Sequence, residues 1–302
     1  MRNLDISVLI ATRNRSRSLE RTLDGIRRQD GLSDVKWEVI VVDNGSTDAT
    51  SMALARMQQH LPIVALYEPV AGQNRSFNKA LEIARGKLLV FTDDDVEPSR
   101  EWLSRIHAGS QRYSADSIFG GPIIPVYPFE LPIWLQTILH ENPAFESAAF
   151  AKFLLSKDEG PITDIPFGPN FAVRARALGH LRFNPALGPG NEGPAMMGET
   201  ELLMRLCESG ERIIYLPTAS VKHFVREEQI DRKWLLERAY RYGRGEARIM
   251  KRPSPNSITT VWRVKPKATL TRMINLSSLI QAQIKLAYLC GIWHESRLMA
   301  QE

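Results

Sequence analysis

Two periodicities alternate along the first hundred residues. Residues 6–10, 39–42, 63–66 and 88–91 are short apolar runs, rich in Ile, Val and Leu, and each predicts a buried strand. Between them, residues 16–29 set Leu19, Leu23 and Ile26 at helical spacing. Residues 48–59 hold good helix formers, and residues 77–84 read as a helix stopped by Gly86. Strand alternating with helix predicts an α/β fold with a mostly parallel sheet covered by helices on both faces. Ligands of such sheets bind beyond the carboxyl ends of the strands.

The texture changes after about residue 120. Residues 120–143 are rich in Pro and aromatics, and residues 160–170 and 184–198 are loop-like. Long loops inside a compact domain usually serve function. A helix is predicted at 199–208, a late strand at 213–216, and two further helices at 234–250 and 270–293, the last with an apolar stripe. These elements suggest a sheet-based domain over residues 1–230, with halves at about 1–120 and 121–230. A helical C-terminal extension would occupy 231–302.

The chain has 302 residues, 43% hydrophobic and 24% charged, ordinary values for a soluble protein with a sizeable core. No apolar run reaches the roughly 18–20 residues that span a bilayer, and the first residues lack the pattern of a signal peptide. A cytoplasmic location is expected, with a peripheral place on the cytoplasmic membrane face. Cys207 and Cys290 offer neither a disulfide framework nor ligand spacing, and both read as buried thiols. The net charge of +5 is unevenly spread: Arg232 to Arg272 carries 12 Lys or Arg against 2 Asp or Glu, a local +10, which leaves −5 for the rest. Such a patch suits an anionic partner. With no nucleic-acid-binding motif beside it, an anionic membrane surface is the expected partner and nucleic acid is not.

The polar signals sit at the predicted strand ends: Thr12-Arg13-Asn14 after the first strand, Asp43-Asn44-Gly45-Ser46-Thr47-Asp48 after the second, and Asp93-Asp94-Asp95 after the fourth. Three adjacent carboxylates repel one another, and burying them without a partner is costly. A divalent cation relieves both penalties; Mg²⁺ characteristically takes one or two carboxylates plus substrate phosphates. An acidic turn capping the following helix is the simpler alternative. Asp43 ends a strand where a base or ribose can be held, and the same stretch also fits a turn with a helix cap. No G-x-G-x-x-G and no G-x-x-x-x-G-K-[ST] occurs, which argues against dehydrogenases and P-loop enzymes.

The runs Ser7-Val8-Leu9-Ile10-Ala11-Thr12-Arg13-Asn14-Arg15, Glu38-Val39-Ile40-Val41-Val42-Asp43-Asn44-Gly45-Ser46-Thr47-Asp48 and Leu89-Val90-Phe91-Thr92-Asp93-Asp94-Asp95-Val96-Glu97-Pro98, with Gly72 and the stretch from Asn78 between them, resemble glycosyltransferase family two. These are inverting enzymes of the GT-A fold. The resemblance continues at Gly168-Pro169-Asn170, Phe183-Asn184-Pro185 and Gly198-Glu199-Thr200-Glu201. It implies that Asp43, Thr12, Arg13 and Asn14 hold the nucleotide, with Gly72 and Asn78 in the donor loop. It implies that Asp93, Asp94 and Asp95 hold Mg²⁺ or Mn²⁺ and the diphosphate, Asp95 as the direct ligand, and that His223 reaches the metal or diphosphate. Glu199 becomes the general base. The family often has two adjacent acids there, so Gly198 is a departure that leaves Glu201 as the competing choice. Phe77 is another, standing where the family usually has Arg, with Arg75 nearby as a substitute.

The implied reaction is a single displacement: the base takes a proton from an acceptor hydroxyl as that oxygen attacks the anomeric carbon of a UDP-, GDP- or dTDP-sugar. The acceptor would be a glycan or a lipid-linked glycan. The rival readings are a nucleotidyltransferase, which needs a basic, glycine-rich loop absent from residues 11–16, and a non-catalytic sugar-nucleotide or glycan-binding relative.

Overall fold

A computed structural model describes residues 3–190, 195–250 and 276–300. Its first part alternates as the periodicities predict: β1 (Leu4–Thr12), α1 (Ser16–Arg27), β2 (Trp37–Asp43), α2 (Thr50–Met57), β3 (Ile63–Tyr67), α3 (Gln73–Ile83) and β4 (Gly86–Thr92). α3 begins earlier than the apolar pattern suggests, directly after Gly72 at φ 146°. Then follow β5 (Val96–Pro98), α4 (Trp102–Arg112), β6 (Ile118–Gly120), β7 (Ile123–Val126), α5 (Ile133–Glu141) and α6 (Pro143–Phe150). The remainder is β8 (Gly160–Ile162), β9 (Phe171–Arg174), α7 (Ala175–Leu178), α8 (Gly198–Glu208), β10 (Ile213–Tyr215), β11 (Val221–Phe224), α9 (Arg232–Met250) and α10 (Leu276–Met299). The predicted start of the last helix, 270–275, lies outside the described residues.

The main sheet has eight strands in the order β3-β2-β1-β4-β9-β6-β10-β8. β1, β2, β3 and β4 run parallel; β9 is antiparallel to both β4 and β6, and β8 is antiparallel to β10. Each central strand buries both faces, which is why it reads as a continuous apolar run. Ile6, Val8 and Ile10 of β1 face α1 and α4, whereas Leu9 and Ala11 face α3 and α8. A second sheet, β5-β11-β7, pairs His223 of β11 with Val96 of β5. That pairing draws β11 to the loop that follows the aspartates.

A third core lies away from the sheet. Leu135, Phe145, Phe150, Leu235, Ile284 and Tyr288 knit α5, α6, α9 and α10 into one cap. α9 and α10 lie so close that a Cβ on Gly243 would collide with the Tyr288 carbonyl oxygen, and one on Gly291 with that of Tyr240. α10 buries Ile280, Ile284 and Tyr288 against the cap, while Leu279, Leu286, Leu289 and Trp293 are exposed on its other side. Cys290 lies among these outward positions and is exposed, and Cys207 is only half-buried, so the expected burial of both thiols does not hold. Among the described residues no helix is long and apolar enough to cross a membrane.

Candidate active site

One cleft of about 630 Å³ runs from the carboxyl ends of β1, β2 and β4 to the inner face of α9. Its floor is the aspartate run. Thr12 Oγ donates to Asp94 Oδ2 at 2.6 Å, and Arg15, at the entry to α1, bridges Asp94 (2.7 Å) and Asp95 (3.1 Å). Arg226, just past β11, donates to Asp95 Oδ2 at 2.9 Å, and Gln73 Nε2 donates to Asp93 Oδ1 at 3.0 Å. His223 Nδ1 lies 3.0 Å from the Phe150 carbonyl oxygen, which turns Nε2 toward Asp95 Oδ1 at 3.3 Å.

Asp93, Asp95 and His223 each offer a ligand atom, all within 4.8 Å of one another. Asp95 Oδ1 is buried and accepts no hydrogen bond, so one oxygen remains available to an ion. Two carboxylates on the turn between β4 and β5 and an imidazole on β11 suit Mn²⁺ or Mg²⁺. Their electrostatics are set by burial and charge. Burial, then the negative charge of Asp95, pushes Asp93 up to about 7. Asp94 is also raised, by burial against the pull of Arg15. Burial would raise Asp95 too, but His223, Arg15 and Arg226 outweigh it and hold that carboxyl well below the usual range. His223 is raised: burial works against its charged form, and Asp95 more than compensates.

Glu199 enters from the opposite wall. It lies on the first turn of α8, preceded by Met197 in a left-handed backbone conformation (φ 74°). A point where a Cβ on Gly168 would stand is 3.8 Å from both Glu199 Oε1 and Asp93 Oδ2, so the two carboxylates converge there across an open glycine. Glu201 does not line the cleft; it pairs with Arg205 at 2.8 Å. Two positions on a helix are about 200° apart, so one face cannot present both acids. Gly198 also has a local reason. Its backbone rests on the Asn74 side chain, into which any Cβ would run, and Asn74 in turn donates to the Asn184 carbonyl oxygen at 2.8 Å.

The remaining expected donor residues divide in two. Arg13 is exposed and lines the cleft. Asp43, Asn14, Gly72 and Asn78 lie outside its lining, and each makes hydrogen bonds within the surrounding loops. Asp43 Oδ1 accepts from Ser46 N at 2.8 Å, and Asn14 Oδ1 accepts from Thr47 N at 2.7 Å. Gly72 N donates to Asn44 Oδ1 at 2.7 Å. Asn78 exchanges two hydrogen bonds, each 2.9 Å, with the backbone of Phe183. Phe77 is buried edge-on to Phe91, a packing that an Arg there could not make, and Arg75 is exposed away from the cleft.

Sequence reasoning missed Arg15, Arg226 and Gln73, and it missed the whole wall supplied by α9: Trp234, Glu237, Arg238, Arg241 and Tyr242. A signal was there: these residues recur at helical spacing on one side of α9, while Leu235 and Ala239 take the other.

Comparison with known proteins agrees with this architecture. The sequence model of glycosyl transferase family 2 matches residues 7–182.

The chain belongs to glycosyl transferase family 2.

As a member of that family it is 28% identical, over 79% of its length, to the pre-mycofactocin glycosyltransferase of Mycobacterium tuberculosis (strain ATCC 25618 / H37Rv), of which it spans 46%. It is 25% identical to the succinoglycan biosynthesis protein ExoM of Rhizobium meliloti (strain 1021), with 82% of this chain and 75% of that protein covered. The chain thus spans less than half the length of the mycobacterial relative. Its fold is that of the mannosyltransferase PcManGT from Pyrobaculum calidifontis, solved with GDP-Man and Mn2+ (TM-score 0.58, 20% identity, 99% of this chain and 73% of that one). It is also that of S. aureus TarS 1-349 with UDP-GlcNAc (TM-score 0.57, 16% identity, 99% and 92%). The fold is therefore GT-A, with a mainly parallel sheet between helices and a helical C-terminal segment.

Proposed function

We propose that this protein is an inverting glycosyltransferase that moves a sugar from a nucleoside diphosphate to a hydroxyl of a glycan or lipid-linked acceptor. The observation that carries the reading is the convergence of Glu199 and Asp93 on one cleft, with the Asp93–Asp95–His223 cluster beneath them. Glu199 receives the proton of the acceptor hydroxyl as its oxygen attacks the anomeric carbon. The bond from that carbon to the diphosphate oxygen breaks in the same step, so the configuration inverts. Arg15 and Arg226 hold Asp94 and Asp95 in place and bring positive charge to the end of the cleft where the diphosphate is to leave. Asp93, Asp95 and His223 would hold a divalent cation, which when bound would neutralise charge on the leaving diphosphate. Thr12 and Arg13 stand at the nucleotide end, and the turns pinned by Asp43, Asn14, Gly72 and Asn78 shape the donor loop around it. The solved neighbours hold GDP-Man with Mn2+ and UDP-GlcNAc, which supports a sugar nucleotide as donor.

A second role is proposed for α10. Its exposed Leu279, Leu286, Leu289 and Trp293 form an apolar stripe beside the basic Lys285 and Arg297, and its acid, Glu295, is buried against Arg244 and Arg248. The preceding segment 251–272, outside the described residues, has six Lys or Arg and no acid. An apolar stripe with basic flanks suits an anionic leaflet on the cytoplasmic face.

The test of the catalytic reading is a thermal-shift screen of UDP-, GDP- and dTDP-sugars with Mg²⁺ or Mn²⁺, followed by product analysis. A donor that binds only the folded state raises Tm by mass action. Release of a nucleoside diphosphate supports transfer of the sugar. Release of a sugar 1-phosphate, with the nucleoside monophosphate transferred, indicates a nucleotidyltransferase, and binding without turnover of any donor indicates a non-catalytic relative.

A further inference from the structure

Arg238 stands in the α9 wall of the cleft, on the Glu199 side. It is half-buried and lines the cleft. Its Nε donates to the Ala148 carbonyl oxygen at 3.1 Å, and its guanidinium carbon lies 5.3 Å from the centre of the Trp234 ring. Among the described residues these are its only partners; no carboxylate pairs with it, and its two terminal nitrogens hold no hydrogen bond. Arg15 and Arg226 differ, since both are committed to the aspartate run.

Burial disfavours the charged guanidinium of Arg238; Tyr242, Glu199 and Asp93 favour it less strongly, and Arg241 adds to the penalty. A cation withdrawn from water without a counter-ion is costly. The cost is relieved when a ligand brings the missing negative charge. A planar guanidinium anchored at Nε presents its free N–H groups as a fork, which matches the paired oxygens of a phosphate or carboxylate. The diphosphate end of the cleft already has the metal-binding cluster and two arginines. Of the two carboxylates that act on Arg238 across the cleft, Glu199, which would deprotonate the acceptor, acts more strongly than Asp93.

We infer that Arg238 recognises an oxyanion, a phosphate or carboxylate, borne by the acceptor close to the hydroxyl that receives the sugar. The acceptor then belongs to the anionic glycans or lipid phosphates, and neutral glycans are poor substrates. This inference rests on the transferase reading. Trp234 assists the recognition, since its ring supports one face of the guanidinium and leaves the edge free for the ligand.

The experiment uses the full chain saturated with Mn²⁺ and UDP, or with GDP where that nucleotide binds tighter. Methyl phosphate and acetate are then titrated into the wild type, Arg238→Gln and Arg238→Lys by ligand-observed NMR. The expected result is that the wild type binds at least one oxyanion and that Arg238→Gln binds it at least tenfold more weakly. Arg238→Lys, which keeps the charge but loses the fork, should fall between, with nucleotide affinity within threefold in all three proteins. Phosphate stronger than acetate assigns a phosphorylated acceptor, and the reverse assigns a carboxylated one. Equal oxyanion binding by the wild type and Arg238→Gln overturns the inference. So does a tenfold loss of nucleotide affinity in Arg238→Gln with oxyanion binding retained, because the arginine then serves the donor. Wild-type nucleotide titration reports separately on the transferase reading. Unchanged Tm and circular dichroism of the Lys variant exclude misfolding as the cause.

Discussion

Replacing Glu199 by Gln is the sharpest perturbation of the proposed chemistry. The amide keeps the volume and one oxygen acceptor but cannot take a proton. General-base catalysis contributes about 10²–10⁴-fold, which corresponds to about 2.7–5.5 kcal/mol of barrier at 1.36 kcal/mol per decade. The matched control is Glu201→Gln, two residues along the same helix. Glu201 is spent on Arg205, a part-exposed pair four residues apart. Helix pairs of this kind contribute about 0.3–0.5 kcal/mol, so the control should lose less than about threefold. The assay is transfer at saturating donor and metal, following both the released nucleoside diphosphate and the glycosylated product, with nucleotide affinity measured in parallel. We expect kcat to fall 100-fold or more in Glu199→Gln, with nucleotide affinity little changed. Two outcomes refute the reasoning. One is a kcat within tenfold of wild type, above all if Glu201→Gln is the damaging change. The other is loss of nucleotide binding equal to the loss of rate, which makes Glu199 a binding residue.

Three further outcomes are expected. Chelation by EDTA should abolish transfer and Mn²⁺ or Mg²⁺ should restore it, while Asp95→Asn should stay folded yet lose the thermal stabilisation that metal with nucleotide gives; full activity in chelator would refute the metal site. Full-length protein should co-sediment with anionic vesicles at low salt and less at high salt, and Leu286→Glu with Trp293→Glu should weaken this; no sedimentation at low salt ends the membrane proposal. Glu38 is buried, which favours its neutral form, but hydrogen bonds from Ser7 and Arg85 outweigh burial and hold its carboxyl below the usual range. A depressed folded-state value contributes stability above the unfolded value, lost as pH falls through the folded one. Glu38→Gln should therefore cost about 1.5–3 kcal/mol in urea unfolding at pH 7, with the gap to wild type closing below pH 4; a pH-independent gap would contradict the charge assignment.

The part of the site legible in the sequence is the part built from contiguous segments. Thr12 and the aspartate run fall at the ends of neighbouring parallel strands, so short motifs in chain order become neighbours in space. What escaped is of two kinds. Arg226 is a single residue delivered by a distant element, and nothing in its local pattern marks it off from a solvated charge. Conversely, the motif residues Asn14 and Asn78 are polar and suited to ligands, yet their side chains hold loop backbone. The choice between Glu199 and Glu201 was open in the string of letters because both match an acidic helix start; their divergence is a property of helical rotation. Gly198 illustrates the same point, since its lack of a side chain makes sense only beside Asn74.

The cap of α5, α6, α9 and α10 has a core of its own, separate from the two that sandwich the main sheet. A separately cored unit is a natural unit of sub-global opening, with a free energy below that of global unfolding. Because α9 lines the cleft, such an opening would split the substrate site and leave the sheet intact. Any ligand that bridges the aspartates and α9 must then close the cap thermodynamically as well as sterically. In hydrogen exchange, the amides of α9 and α10 would slow together on substrate binding, whereas those of β1 and β4 would keep the slow rates set by the whole fold.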